Sequence, residues 1–239
     1  MRWRWAALGS LAILGGLYLY VRLLTVLQIW PPYGAFIGFS IAGVLGGAAM
    51  ARHALIVPWR EPVVAALGAS AVVIGFWALE PWMVGRIVGE LPAVLLSGGL
   101  MIGGCIGGAA LARRMFGTAP TAVASALLNV LLLGGILIII LAVATTLGAT
   151  RNAFIPPVLV GVALAGFLTQ AVTPVKSIWA CSAGSIVLVL IMLTGAGPIG
   201  SSVAGLVLLW LAGAAGAALA WRVLPQPEPT ADVPPARLQ

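Results

Sequence analysis

The chain has 239 residues, of which 62% are hydrophobic and only 7% charged, with a formal net charge of +7. A soluble domain is about half apolar and a quarter charged, so this composition excludes an ordinary soluble fold and points to an integral membrane protein. The basic residues are scattered at the ends of apolar runs with no aromatic-interleaved patch, which argues against a nucleic-acid surface and for contact with the lipid bilayer.

Charge-free stretches cover 23–51, 62–79, 91–112, 115–150, 152–175 and 177–221, and a spanning helix needs about 20 apolar residues. The first predicted helix, 6–28, follows "MRWRW", and no small-residue cleavage site precedes "QIWPPYG" (28–34), so it is expected to be retained. The double proline there ends it, because two missing backbone donors cannot be left unsatisfied in lipid. The second, third and fourth helices are predicted at 34–52, 62–80 and 91–112. "FGTAP" (116–120) and "TGAGPIGSS" (194–202) then divide the later runs into 121–146, 154–173, 177–195 and 201–222. The runs are continuously apolar and lack the alternation of barrel strands, so the fold class is an all-α integral membrane protein of about eight transmembrane helices. Residues 1–224 form this polytopic domain, and the Pro-rich "PQPEPTADVPPARLQ" (225–239) is expected to be a disordered cytoplasmic tail.

With eight helices both termini share a side. Arg2, Arg4, Arg52, Arg60, Arg113, Arg114, Lys176, Arg222 and Arg237 fall there, against Arg22, Arg86 and Arg151 on the other. Short cytoplasmic loops carry the Lys/Arg excess, so both termini are expected in the cytoplasm. Eleven arginines against one lysine suggest a GC-rich bacterial genome and hence the bacterial cytoplasmic (inner) membrane.

"GVLGGAAMAR" (43–52) returns 61 positions later as "GCIGGAALAR" (104–113). The correspondence extends to Pro31/Pro92 and Gly38/Gly99, so the second and fourth helices read as copies. Weaker echoes occur at 156–168 and 211–222, where Gly216 stands for Gly47 and Gly108. The chain therefore divides into four helical hairpins near 1–60, 61–118, 119–176 and 177–224, which are parallel repeats because a two-span unit begins and ends on one side. Gly38, Gly43, Gly46 and Gly47, with Gly99, Gly103, Gly104, Gly107, Gly108 and Gly216, are expected to let helices approach closely, as small residues do in lipid.

Candidates for chemistry are few. His53 stands beside Arg52 with no acid or G-x-S-x-G context, so no catalytic residue is assigned and the chain reads as a non-enzyme. Cys105 and Cys181 lie within helices without a C-x-x-C pair, and are read as packing residues; no metal site and no cofactor is expected. Asn129 and Gln170 carry amides to membrane depth, each expected to make an interhelical hydrogen bond or to touch a solute. Arg22 is expected to pair with Glu80 or Glu90, and with Arg86 these form the outer charge cluster that would mouth a substrate pathway. Two functions fit: a small transporter or permease-like protein, and a non-catalytic subunit or scaffold that packs with other membrane subunits or as a homo-oligomer.

The charge asymmetry makes a topology prediction. In a variant lacking both native cysteines, single cysteines replacing Arg60, Arg114 or Lys176 should resist an impermeant thiol reagent added to intact cells, whereas those replacing Arg86 or Arg151 should react. Labelling of the first set from outside would reverse the orientation.

Overall fold

The computed structural model describes residues 3–29, 31, 33–50, 60–79, 90–116, 122–148, 151–173, 177–194 and 203–224. They form eight α-helices: α1 (Trp3–Leu27), α2 (Gly34–Met50), α3 (Arg60–Leu79), α4 (Leu91–Phe116), α5 (Ala122–Thr146), α6 (Ile155–Val172), α7 (Ile178–Thr194) and α8 (Val203–Val223), with a 3-10 turn at Arg151–Phe154. No strand occurs among the described residues. Each helix lies on a predicted one. The largest difference is α4, which runs past 112 to Phe116, because Ala, Leu and Arg are strong helix formers and Arg113 and Arg114 favour the negative end of the helix. Residues 225–239, and Glu80 and Arg86, lie outside the described residues.

Local chemistry sets the ends. Pro92 is the second residue of α4, and Pro156 and Pro157 stand in the first turn of α6, where a missing N–H costs nothing. The first helix closes without glycine: Gln28 takes φ 55° and the Ile29 N–H donates to the Leu24 carbonyl at 3.2 Å, the bond that ends a Schellman turn. After α5 the same left-handed step falls on Gly148, φ 62°. Five helices, α1, α4, α5, α6 and α8, are long and apolar enough to cross a membrane; α2 and α7 have 17 residues each. Large apolar side chains such as Leu95, Leu111, Leu190 and Leu208 stand more than half exposed, which suits lipid as the surrounding solvent. The chain is a multi-pass helical membrane protein.

Within the bundle, helices meet through glycine. The helices α1 and α2 run antiparallel, Gly16 lying on Ala42, Gly38 on Tyr20 and Gly46 on Ile13. In contrast α2 and α4 run parallel and reciprocally. A Cβ at Gly43 would overlap the Met101 carbonyl and one at Gly47 the Cys105 carbonyl; Gly104 faces the Ser40 carbonyl and Gly108 the Val44 carbonyl. These are the glycines of the repeated decapeptide, packed backbone against backbone. The pair α6 and α8 meets in the same manner, Gly166 on the Gly213 carbonyl and Gly216 on the Ala163 carbonyl.

The neighbours of each helix follow one pattern in both halves of the chain. In the first, α1 packs on α2 and α3, and α4 packs on the same two; in the second, α5 packs on α6 and α7, and α8 on those two. The halves join through α1 and α5, where Gly15 abuts the Leu131 carbonyl and Gly135 abuts the Leu11 carbonyl. Ser10 clasps α3 to α1, its Oγ donating to the Ala65 carbonyl at 2.9 Å. At the matching place in the second half, the Gly184 N–H of α7 donates to Asn129 Oδ1 of α5 at 2.6 Å.

The glycines separate into two groups by what they touch. Gly47→Leu and Gly108→Leu force a side chain into a backbone carbonyl, and each should lower stability in detergent by about 1–3 kcal/mol. Gly103 and Gly107 have no described atom within 4 Å of a built Cβ, so Gly103→Leu and Gly107→Leu should unfold with wild type. Thermal melts followed by size-exclusion fluorescence decide it; equal losses in both groups would mean that the α2–α4 seam is not the stabilising contact.

Candidate functional site

Asn129, expected either to bond across helices or to touch a solute, is 2% exposed. Its Nδ2 donates to Thr169 Oγ1 at 3.0 Å while Oδ1 accepts from Gly184, so one side chain ties α5 to both α6 and α7. Thr169 passes its own proton to the Ala165 carbonyl at 2.8 Å, and Thr173 donates to the Thr169 carbonyl at 2.8 Å. Gln170 Oε1 accepts the Cys181 thiol at 3.1 Å. Ser182 and Ser185 complete a polar layer that is buried throughout. Buried amides in lipid must find partners, and these have found protein ones. The space lined by Val130, Gly134 and Gly184 nearby is about 10 Å³, room for a single water at most.

The charged candidates lie elsewhere. Arg22 stands near the opposite end of α1, its Nε donating to Tyr18 Oη at 3.3 Å and its guanidinium 5.5 Å from the centre of the Tyr18 ring. The tyrosine one turn back holds it along the same helix. Glu90 precedes α4 and is exposed; Glu80 and Arg86 lie outside the described residues. Asn129 and Gln170 are thus separated from Arg22 and Glu90 by the length of the bundle. Among the described residues no cluster of three or more His, Cys, Asp or Glu side chains could hold a metal ion. Glu61, in the first turn of α3, is 4% exposed, a placement that the positive end of a helix favours for a carboxylate.

A cavity of about 600 Å³ lies between α2, α3 and α4 toward their Glu90 end. Phe36 and Phe39 of α2, Ser70, Val73 and Ile74 of α3, and Glu90, Ser97, Gly98, Gly99, Met101 and Ile102 of α4 are among the residues that line it. Part of the α4 wall carries no side chain at all, at Gly98 and Gly99. Gly98 and Gly99 have nothing described within 4 Å of a built Cβ, as have Gly103 and Gly107 further along. The corresponding face of α2 is occupied: Gly38 and Gly46 carry Tyr20 and Ile13 of α1. So Gly38, Gly43, Gly46, Gly47, Gly104, Gly108 and Gly216 pack on other helices, while Gly99, Gly103 and Gly107 do not.

The cavity walls are not legible as a motif, yet a signal for them is present in the chain. Matching the contact residues Cys105 with Gly213 and Gly108 with Gly216 sets Leu206, Val207 and Leu211 of α8 opposite Gly98, Gly99 and Gly103 of α4. Where the second half carries large side chains, the first carries hydrogens.

No protein-family model matches the chain, and comparison with curated proteins and with solved structures finds no similar one. Function therefore rests on the geometry alone.

The polar layer makes its own prediction. Asn129→Leu leaves the Gly184 N–H and Thr169 Oγ1 without their shared partner and should cost about 1–3 kcal/mol of stability, the penalty for orphaned buried groups. Gln170→Leu loses a single thiol bond and should cost under about 1 kcal/mol. Thermal melts of the two variants in one detergent test the order; a reversed order would mean that Gln170 organises the layer.

Proposed function

We propose that the protein is a small permease-like carrier, not an enzyme, and that its solute site is the cavity between α2, α3 and α4. The single observation that carries this reading is the difference between the halves. Two four-helix units share one pattern of neighbours, yet α4 offers glycines where α8 offers leucine and valine. A wall of glycines beside an unfilled volume of about 600 Å³ has the size of a small-molecule site, ~300–1,000 Å³.

In this reading all eight helices cross the bacterial cytoplasmic membrane, with both termini on the cytoplasmic side as the arginine asymmetry requires. The matched neighbours reflect an internal repeat, in which units with an even number of spans keep one orientation. The repeated decapeptide is then the seam that holds the second and fourth helices of one unit together. Asn129 and Gln170 serve packing, since their amides are spent on Thr169, Gly184 and Cys181. The Glu90 end is the mouth.

A second reading is favoured by a specific feature: the open run of Gly103 and Gly107 below the cavity. Small residues four apart are where membrane helices approach closely, and a partner subunit seated there would make the protein a non-catalytic component of a larger complex. Flux decides between the two. Wild-type protein reconstituted into vesicles should release trapped labelled solutes from a panel of charged and zwitterionic amphipathic compounds, which protein-free vesicles retain, and Gly99→Leu should suppress that release. Absence of flux across the panel, together with copurification of a stoichiometric membrane partner, overturns the carrier reading.

A further inference from the structure

We infer that the cavity holds the hydrocarbon chain of a membrane lipid from the leaflet at its Glu90 end, admitted sideways between α3 and α4. The inference rests on the carrier reading for the site's purpose but not for its occupant.

Four observations fix the class of ligand. The first is the chemistry of the walls. Among the described lining residues the polar side chains apart from Glu90 are Ser70 and Ser97, and both have committed their protons within the protein: Ser97 Oγ donates to the Ala93 carbonyl at 2.8 Å, and Ser70 Oγ to the Met101 sulfur at 3.6 Å. A solute rich in hydroxyls or charge would lose its hydration here without replacement, a penalty of several kcal/mol per group. A polymethylene chain loses nothing.

The second is polarity along the length. Glu90 stands at one end and the other described wall residues are apolar but for the two serines, so the space is graded as an amphiphile is, polar at the mouth and oily below. The third is depth. On α4 the lining runs from Glu90 to Ile102, about 18 Å at 1.5 Å per residue, whereas a bilayer core is about 30 Å thick. A helix seated in the groove would need the whole thickness; one leaflet's acyl chain needs about half.

The fourth is access. Leu67 and Ile74 on the α3 side and Leu95 on the α4 side are 53%, 37% and 67% exposed, so the rim between these helices faces the same surroundings as the outer surface of the bundle. A lipid can slide in without leaving the bilayer. The counterpart positions on α8 carry Leu206, Val207 and Leu211 in place of glycine.

The test uses full-length protein in phosphatidylcholine nanodiscs that contain a phospholipid with a diazirine in its acyl chain. After irradiation, labelled peptides are mapped by mass spectrometry. Label should concentrate on residues 67–74 and 93–102. Gly99→Leu, whose side chain enters open space, should melt with wild type yet lose labelling there about tenfold, equivalent to ~1.4 kcal/mol of binding; Gly107→Leu, beyond the cavity, should keep it. Ser97→Phe provides a second occlusion that supports the same conclusion if Gly99→Leu fails to fold. Labelling spread evenly over exposed positions such as Leu111 and Leu208, and unchanged by Gly99→Leu, overturns the inference. So does efficient disulfide formation between two Gly99→Cys chains, which would put a second copy in the groove. Cavity labelling without vesicle flux keeps the lipid site and removes the carrier reading; flux without labelling does the reverse.

Discussion

Backbone-to-backbone contact at glycine is the constraint on which the structure depends. Lipid chains are as apolar as leucine, so membrane helices gain no hydrophobic free energy by meeting and associate through close packing and occasional hydrogen bonds. The seam between α2 and α4 meets that requirement by removing every side chain at the crossing: Gly43, Gly47, Gly104 and Gly108 each rest on a carbonyl of the opposite helix. The same device joins α6 to α8 and α1 to α5. Bulk at any of these points would push two helices apart and lose van der Waals contact along both, not at one residue alone.

Hydrogen bonds then decide which helices stay together where glycine does not. Ser10 and Asn129 occupy matching places, one holding α3 to α1 and the other α7 to α5. The two clasps differ in kind. Ser10 reaches only the backbone of α3, and Gly68 is the residue that lies on it. Asn129 engages α6 as well, so one amide gathers three helices of the second half, where Ser10 joins two of the first.

Most of the fold was readable in the sequence because the signals for helices in lipid are long and redundant. Charge-free runs, prolines at starts and turn residues between runs placed all eight helices. The seam was readable too, since the repeated decapeptide contains its four glycines. What remained hidden was the direction in which each glycine faces. Gly46 and Gly107 hold the same place in the repeat, yet Gly46 lies on Ile13 and Gly107 on nothing, because α1 covers one helix and α3 leaves the other. That difference is tertiary, set by Ser10 and Ala65 from elsewhere in the chain. The cavity was hidden for a related reason. It is made by absent side chains at Gly98 and Gly99, and these acquire meaning only against Leu206 and Val207 of α8, whose register is fixed by contacts rather than by any shared motif. The contact of Arg22 with Tyr18 was not anticipated, although that residue, one turn away on the same helix, supplies both a hydroxyl and a ring face.

The seam between α1 and α5 bears on how the protein is made. Much of what α1 touches belongs to α2 and α3, which leave the ribosome soon after it, but Gly15 and Leu11 wait for Leu131 and Gly135. Since chains fold from the N-terminus during synthesis, the first four helices can assemble as a finished unit while one glycine-bearing strip of α1 is still bathed in lipid. That strip is the template on which the second unit docks when α5 arrives. Synthesis from the N-terminus thus leaves Gly15 without its backbone partner until α5 has been made.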